Sequence, residues 1–160
     1  MQFLWSPWRL QYVTAGGSGD AECFMCAAVG GSDDVAQLLL HRGDRCFAML
    51  NKFPYNTGHL MVAPNRHVAE LEDLDPEESA ELMALTTKAV AAIKTTMDPH
   101  GFNVGINLGQ VAGAGLPGHV HVHVVPRWGG DTNFMPIVGE TKVLPEALND
   151  TYARLKPAFG

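Results

Sequence analysis

Three histidines, His119, His121 and His123, stand at i, i+2 and i+4 in the stretch Gly118-His119-Val120-His121-Val122-His123-Val124-Val125-Pro126-Arg127. The period is that of a β-strand, so the spacing predicts a strand with all three imidazoles on one face and valines on the other. An imidazole near its ordinary pKa of ~6.5 can serve at neutral pH as nucleophile, base or metal ligand. His121 has a histidine two positions away on either side and is the best placed to be oriented by its neighbours. Just before the strand, Gly109-Gln110-Val111-Ala112-Gly113-Ala114-Gly115 is a Gly-rich loop whose backbone N–H groups suit an anion. Imidazole beside amide donors points to phosphoryl or nucleotidyl transfer.

A second group is Cys23-Phe24-Met25-Cys26. Two thiolates at this spacing can share one zinc, which needs two further ligands. A redox pair is the competing reading, but no thioredoxin-like βαβ context surrounds it. Two small buried thiols is the third. Cys46, inside an apolar run, reads as core.

The elements that must position these groups follow from period and punctuation. Ala36–His41 and Cys46–Leu50 read as a strand pair around an Arg42-Gly43-Asp44 turn, and His59–Ala63 as a further strand ended by Pro64. Asp75 can cap a helix with Pro76 at its first position and Glu77 and Glu78 in its first turn. Leu82, Leu85, Ala89 and Ile93 recur at helical spacing, which predicts the main helix to about Thr96. Phe102–Asn107 reads as a strand feeding the loop, and Leu144 to about Leu155 as a second helix. The order is that of an α+β fold with a mostly antiparallel sheet, one long helix and a C-terminal helix. The expected organisation is a single domain over 1–160, with 1–22 as an N-terminal arm and 141–160 as C-terminal helix and tail. The arm holds Trp5-Ser6-Pro7-Trp8, expected to pack on the body or on a second subunit, then the Gly-rich loop Ala15–Asp20.

At 160 residues, with 18% charged and 46% apolar side chains, the balance is globular. The formal charge of −6 argues against wrapping nucleic acid through phosphate neutralisation, while leaving room for a small anionic substrate. No stretch reaches the ~20 apolar residues of a membrane span, and the N-terminus lacks a basic region before a long apolar run. The expectation is a cytoplasmic protein with no membrane partner. Three cysteines make no disulfide framework in a chain of this length.

The motif His119-Val120-His121-Val122-His123-Val124-Val125 resembles that of the histidine-triad (HIT) superfamily, His-x-His-x-His followed by apolar residues. The likeness extends to Asn51, to Gly58-His59 with the strand after it, and to Asn107-Leu108-Gly109, covering about residues 4 to 140. Trp5-Ser6-Pro7-Trp8-Arg9 and Pro126-Arg127-Trp128-Gly129-Gly130-Asp131-Thr132-Asn133-Phe134 resemble the flanking segments of the fragile-histidine branch and of bacterial diadenosine tetraphosphate phosphorylases.

The resemblance implies roles. His121 matches the nucleophile that attacks an α-phosphorus to give a nucleotidyl-imidazole, which a second acceptor resolves. His123 and His59 match residues that orient the phosphate and the imidazole, and Asn51 the ribose-binding asparagine. Asn107 and the loop residues Gly113, Ala114, Gly115 and Leu116 are expected substrate contacts. Trp128 is a candidate for base stacking, with interface packing as the alternative, and Arg127 is read as pairing with an acidic residue. In zinc-bearing relatives the two ligands completing a C-x-x-C site match His67 and His119 here, so a structural zinc on Cys23, Cys26, His67 and His119 is implied. No catalytic cofactor is expected, and a homodimer is implied.

One departure bears on the acceptor. Many hydrolytic relatives carry Ala-Gly-Gln before the triad, whereas Ala112-Gly113-Ala114-Gly115-Leu116 offers no amide side chain. The smaller residues leave room for an acceptor larger than water, which suggests phosphorolysis of a dinucleoside polyphosphate, diadenosine tetraphosphate best of all. The alternatives are a hydrolase of nucleoside phosphoramidates or nucleotidyl sulfates, a non-catalytic nucleotide-binding signalling module, and a catalytic zinc site built from the histidines.

Overall fold

The computed structural model describes residues 23–132 and 143–160. The expected arm 1–22, with its aromatic start and Gly-rich loop, lies outside the described residues, as do Asn133 and Phe134.

Helix α1 (Phe24–Gly30) leads into strands β1 (Leu39–Arg42), β2 (Cys46–Leu50) and β3 (Leu60–Pro64). After them come the long helix α2 (Pro76–Met97), strands β4 (Gly101–Ile106) and β5 (Val122–Arg127), and helix α3 (Leu148–Leu155). The five strands form one sheet in the order β1-β2-β3-β5-β4, and every neighbouring pair is antiparallel. The α+β expectation holds.

Alternation sorts the strands onto two faces. Along β2, Cys46, Ala48 and Leu50 join Leu60 and Val62 of β3 and Val122 and Val124 of β5 beneath α2 and α3. Phe47 and Met49 point the other way, with Leu39, Met61 and Ala63, against Met25 and Ala28 of α1. Both faces being covered, β2 and β3 are buried at every position, which is why they read as unbroken apolar runs. Burial pushes the Cys46 thiol up to about 12, a core group as expected.

Helix α2 begins where the sequence predicts. Asp75 accepts from the Glu78 N–H at 2.7 Å and Glu78 Oε2 accepts from the Asp75 N–H at 3.0 Å, a reciprocal cap. It buries Leu82, Leu85, Ala89, Ala92, Ile93 and Met97 and ends at Asp98 in the left-handed region, φ 48°.

The structure departs from the sequence reading at several places, β3 and β4 each by one residue at their ends. Strand β1 starts at Leu39 because Leu38 takes φ +57°, which no strand tolerates. Helix α3 starts at Leu148, after Pro145, and a 3₁₀ turn over Lys156–Phe159 follows it. Helix α1 was not anticipated. Only seven residues long, it is closed from outside by Arg42, whose guanidinium donates to Val29 O at 2.5 Å, Gly31 O at 2.7 Å and Ala28 O at 3.2 Å. The histidine strand is shorter than its alternation predicts. Its ladder begins at Val122, paired with Val62 and Ile106, so His119 and His121 precede it.

Candidate active site and metal centre

The active-site side is built from the β2–β3 loop. Gly58 has φ +79°, and a Cβ there would stand 2.8 Å from Met97 Sδ, so the tight entry to β3 requires glycine. It delivers His59, fully buried, onto the face opposite its neighbour Leu60. The Tyr55 N–H donates to His59 Nδ1 at 3.0 Å, which assigns the neutral ring's proton to Nε2. His59 Nε2 lies 3.0 Å from His123 Nδ1 and donates to it, so His123 in turn carries its proton on Nε2. The Tyr55 ring stacks on His59 with centroids 4.7 Å apart. Asn51 Oδ1 accepts from the Phe53 N–H at 2.9 Å, turning its amide Nδ2 towards the His59 ring, 3.5 Å away.

His121 is wired the opposite way. Its Nδ1 is 2.7 Å from the backbone oxygen of His119, and since a carbonyl only accepts, Nδ1 must carry the proton. The lone pair is therefore on Nε2. Burial pushes the His121 pKa down, against the opposing pull of that hydrogen bond, so the ring is neutral and nucleophilic at neutral pH. It meets His123 edge to face, with centroids 4.7 Å apart. His123 sits in the ladder opposite Met61 and Gly105. The ladder ends with Ile106 opposite Val122, so Asn107 leaves β4 at the same end at which His121 enters β5.

The third imidazole faces elsewhere. His119, with no exposed surface, packs edge-on against Phe47 and donates from Nε2 to Pro64 O at 2.8 Å. Its Nδ1 is 3.4 Å from Cys23 Sγ and 3.6 Å from Cys26 Sγ, and His67 Nδ1 is 3.3 Å from Cys26 Sγ. All four ligand atoms lie within 4.8 Å of one another. A tetrahedral zinc with ordinary Zn–S and Zn–N bonds sets sulfur and nitrogen about 3.5 Å apart, and these distances match it. The Pro64 carbonyl also fixes the His119 tautomer so that Nδ1 offers its lone pair, the usual outer support of a metal-bound histidine. The cluster fits a structural zinc, closed by four protein ligands and lacking the open position a catalytic zinc needs.

The Gly-rich loop is more self-contained than a bare anion nest. A 3₁₀ turn, Gln110–Ala112, leads to Gly113 at φ +89°. The Gly113 N–H donates to Gln110 O at 3.0 Å and the Ala114 N–H reaches Gly109 O at 3.4 Å, so two of the expected donors turn into the loop itself. Ala114 is buried and Leu116 packs on the α1 side of the sheet.

Beside Asn51 opens a hollow of about 710 Å³, whose lining includes Phe24, Val35, Met49, Lys52, Phe53 and Asn149. That volume lies in the range of small-molecule sites. Its walls come from α1, the loop between α1 and β1, the end of β2 with the loop after it, and the start of α3, segments spread along the sequence, which is why alternation and motif spacing did not reveal it. Tyr55 was missed for a simpler reason: it meets His59 through a backbone N–H and a stacked ring, and neither contact shows in the spacing of the motif.

Trp128 is not brought to the imidazoles. It stands beyond the far end of β5, packs against the α2-side core and donates from Nε1 to Asp98 O at 3.2 Å. Arg127 pairs with Asp131 at 2.6 Å. His41 packs against Phe159, and His100 Nδ1 accepts from the Gly129 N–H at 2.8 Å. Among the described residues no helix is long and apolar enough to cross a membrane.

An antiparallel five-stranded sheet with three alternating histidines at the start of β5 defines the histidine-triad class. The sequence matches the HIT domain over residues 34–130, and the chain belongs to the HIT family. It is 49% identical over 157 residues to the AP-4-A phosphorylase of Mycobacterium tuberculosis, covering 94% of this chain and 80% of that one. To the asymmetrical bis(5′-nucleosyl)-tetraphosphatase of Schizosaccharomyces pombe it is 36% identical over 93 residues, covering 58% of this chain and 50% of that one. Among solved structures it is similar to a Zn-bound histidine triad family protein from Mycobacterium smegmatis, with TM-score 0.68, 26% identity and coverage of 88% and 95% of the two chains.

Proposed function

We propose that this protein cleaves dinucleoside polyphosphates through a nucleotidyl-histidine intermediate on His121, with inorganic phosphate as the acceptor and diadenosine tetraphosphate as the best substrate. The carrying observation is the wiring of His121, which is buried, neutral and tautomerically fixed with its lone pair on Nε2. Nε2 attacks the α-phosphorus of one adenylyl end and the bond to the bridging oxygen breaks, releasing ATP. Phosphate then attacks the adenylyl-imidazole, freeing His121 and giving ADP. His123 supplies an Nε2–H donor to the phosphate oxygens, held in that tautomer by His59. Asn51 holds the ribose at the mouth of the hollow beside it, and the hollow takes the base. Asn107 and the Gly113–Leu116 loop line the phosphate path. Trp128, on the other side of the sheet, remains a candidate only for the distant part of a long substrate or for packing.

A structural zinc on Cys23, Cys26, His67 and His119 supports this site without entering the reaction. The chain is one domain with an N-terminal arm, cytoplasmic, and works on a nucleotide with neither nucleic acid nor membrane as partner. Homodimer formation is supported by β4, an edge strand whose Asn103, Val104 and Gly105 are exposed, Val104 to 50%. Such an edge invites pairing with a second copy.

Product analysis tests the proposal. With diadenosine tetraphosphate and phosphate, ADP and ATP should appear in equal amounts. AMP plus ATP at a rate indifferent to phosphate would make the protein a hydrolase, the activity that the name of the Schizosaccharomyces pombe relative states.

A further inference from the structure

His119 and His121 are two residues apart, yet neither is held by the sheet, because the β5 ladder starts only at Val122. Other contacts fix this short approach. The His119 side chain faces Cys23 and Cys26 through Nδ1 and Pro64 O through Nε2. Val120 donates its N–H to Val68 O at 2.7 Å, tying the next residue to the segment that carries His67. The His119 carbonyl then accepts the Nδ1 proton of His121 at 2.7 Å. From sulfur to nucleophile the path is one residue's side chain and that residue's own peptide oxygen.

We propose that the Cys23/Cys26/His67/His119 centre is a positioning device for the nucleophile: a bound metal pins His119, and His119 through its carbonyl sets the tautomer and direction of His121. With the metal removed, the approach His119–His121 loses its outer anchor, and His121 samples the tautomer whose proton sits on Nε2 and cannot attack. The metal takes no part in bond making, and His119, Cys23, Cys26 and His67 are positioning residues. The inference rests on the reading of His121 as nucleophile, but its spectroscopic arm does not depend on which substrate is used.

His67 is the ligand to change, since it is exposed and its removal opens no core. His67→Ala should lose zinc by elemental analysis and keep AMP affinity within about twofold. Its kcat for diadenosine tetraphosphate should fall about 10- to 100-fold, the usual loss for groups that support a reacting residue at one remove. In ¹⁵N spectra of histidine-labelled protein, the His121 Nδ1–H signal, sharp in the zinc-loaded protein, should broaden or shift towards the other tautomer. His67→Cys, which keeps four ligands, should restore metal, kcat and spectrum together. Metal loss with kcat and the His121 signal unchanged overturns the proposal. So does loss of fold in His67→Ala together with loss of fold in chelated wild type, for then the centre only holds the chain together. Absence of turnover in zinc-loaded wild type with the tautomer shift still present would reject the proposed substrate and leave this inference standing.

Discussion

Two groups of imidazoles lie on this face of the sheet, and they share one short stretch of chain. In the first, His119 and His67 turn Nδ1 towards the sulfurs, and His119 is locked by Pro64 O. In the second, His121 is tied back through Nδ1 and His123 accepts through Nδ1 from His59. Equal spacing has therefore produced three differently wired imidazoles: one that turns Nδ1 to the sulfurs, one that donates from Nδ1 to a peptide oxygen, and one that accepts at Nδ1 from another ring. Position along the chain decides where an imidazole is. The partner of its other nitrogen decides what it does.

That contrast is broken most severely at His121. Substituting it by Asn removes the Nε2 lone pair that the proposed reaction uses, and turnover should drop by about 10⁴-fold or more, as when other covalent nucleophiles are deleted. Equilibrium dialysis with AMP should show binding kept within a few fold. Residual turnover above a hundredth of wild type would mean that another group attacks.

His59 sharpens it at a smaller scale. Its role is to receive the Tyr55 N–H on one nitrogen and pass orientation to His123 from the other. His59→Ala should lower kcat about 10- to 100-fold, in the range for an outer partner of a reacting group. His59→Gln, whose amide can still donate, should recover part of the loss in the same steady-state assay.

Much of the fold was legible before the structure: the capped helix from Pro76, the antiparallel order and the strand over Cys46–Leu50. The four candidate metal ligands were named through resemblance, and they then appeared together at metal-like distances. What stayed hidden depends on contacts between distant segments. Helix α1 is too short to announce itself by periodicity and exists because Arg42 closes its end. The early end of the histidine ladder follows from where β3 and β4 stop, not from the valines. The tautomers follow from Pro64, Tyr55 and a peptide oxygen, none of which a motif records.

Phe24 tests whether the two groups are as separate as their wiring. It stands between the two cysteines, yet its ring lines the hollow beside Asn51 rather than the metal cluster. Phe24→Ala should therefore raise KM about 10-fold, the order expected for losing an aromatic wall of a nucleoside site, with kcat and zinc content unchanged. A fall in zinc content would assign Phe24 to the metal side instead.

The smallest effect concerns the support beneath His67. Its neighbour Arg66 donates to Glu78 at 2.7 Å and 2.6 Å and to Asp73 O at 2.9 Å, joining the ligand's segment to the start of α2. The Arg66 guanidinium, aided by the Asp75 N–H, holds the Glu78 carboxyl down to about 2 although burial acts against it. A carboxyl whose folded pKa is depressed stabilises the protein above its ordinary titration range, and that stability is lost as pH falls through the range and on towards about 2. Because the arginine is half exposed, screening reduces the pair's worth, and Arg66→Met should destabilise the protein only modestly at neutral pH. The difference from wild type in urea denaturation should shrink as pH is lowered below 4.5, since both proteins then approach a protonated Glu78. A difference constant with pH would trace the loss to the Asp73 carbonyl contact, and an accompanying loss of zinc would show that this pair also serves the metal side.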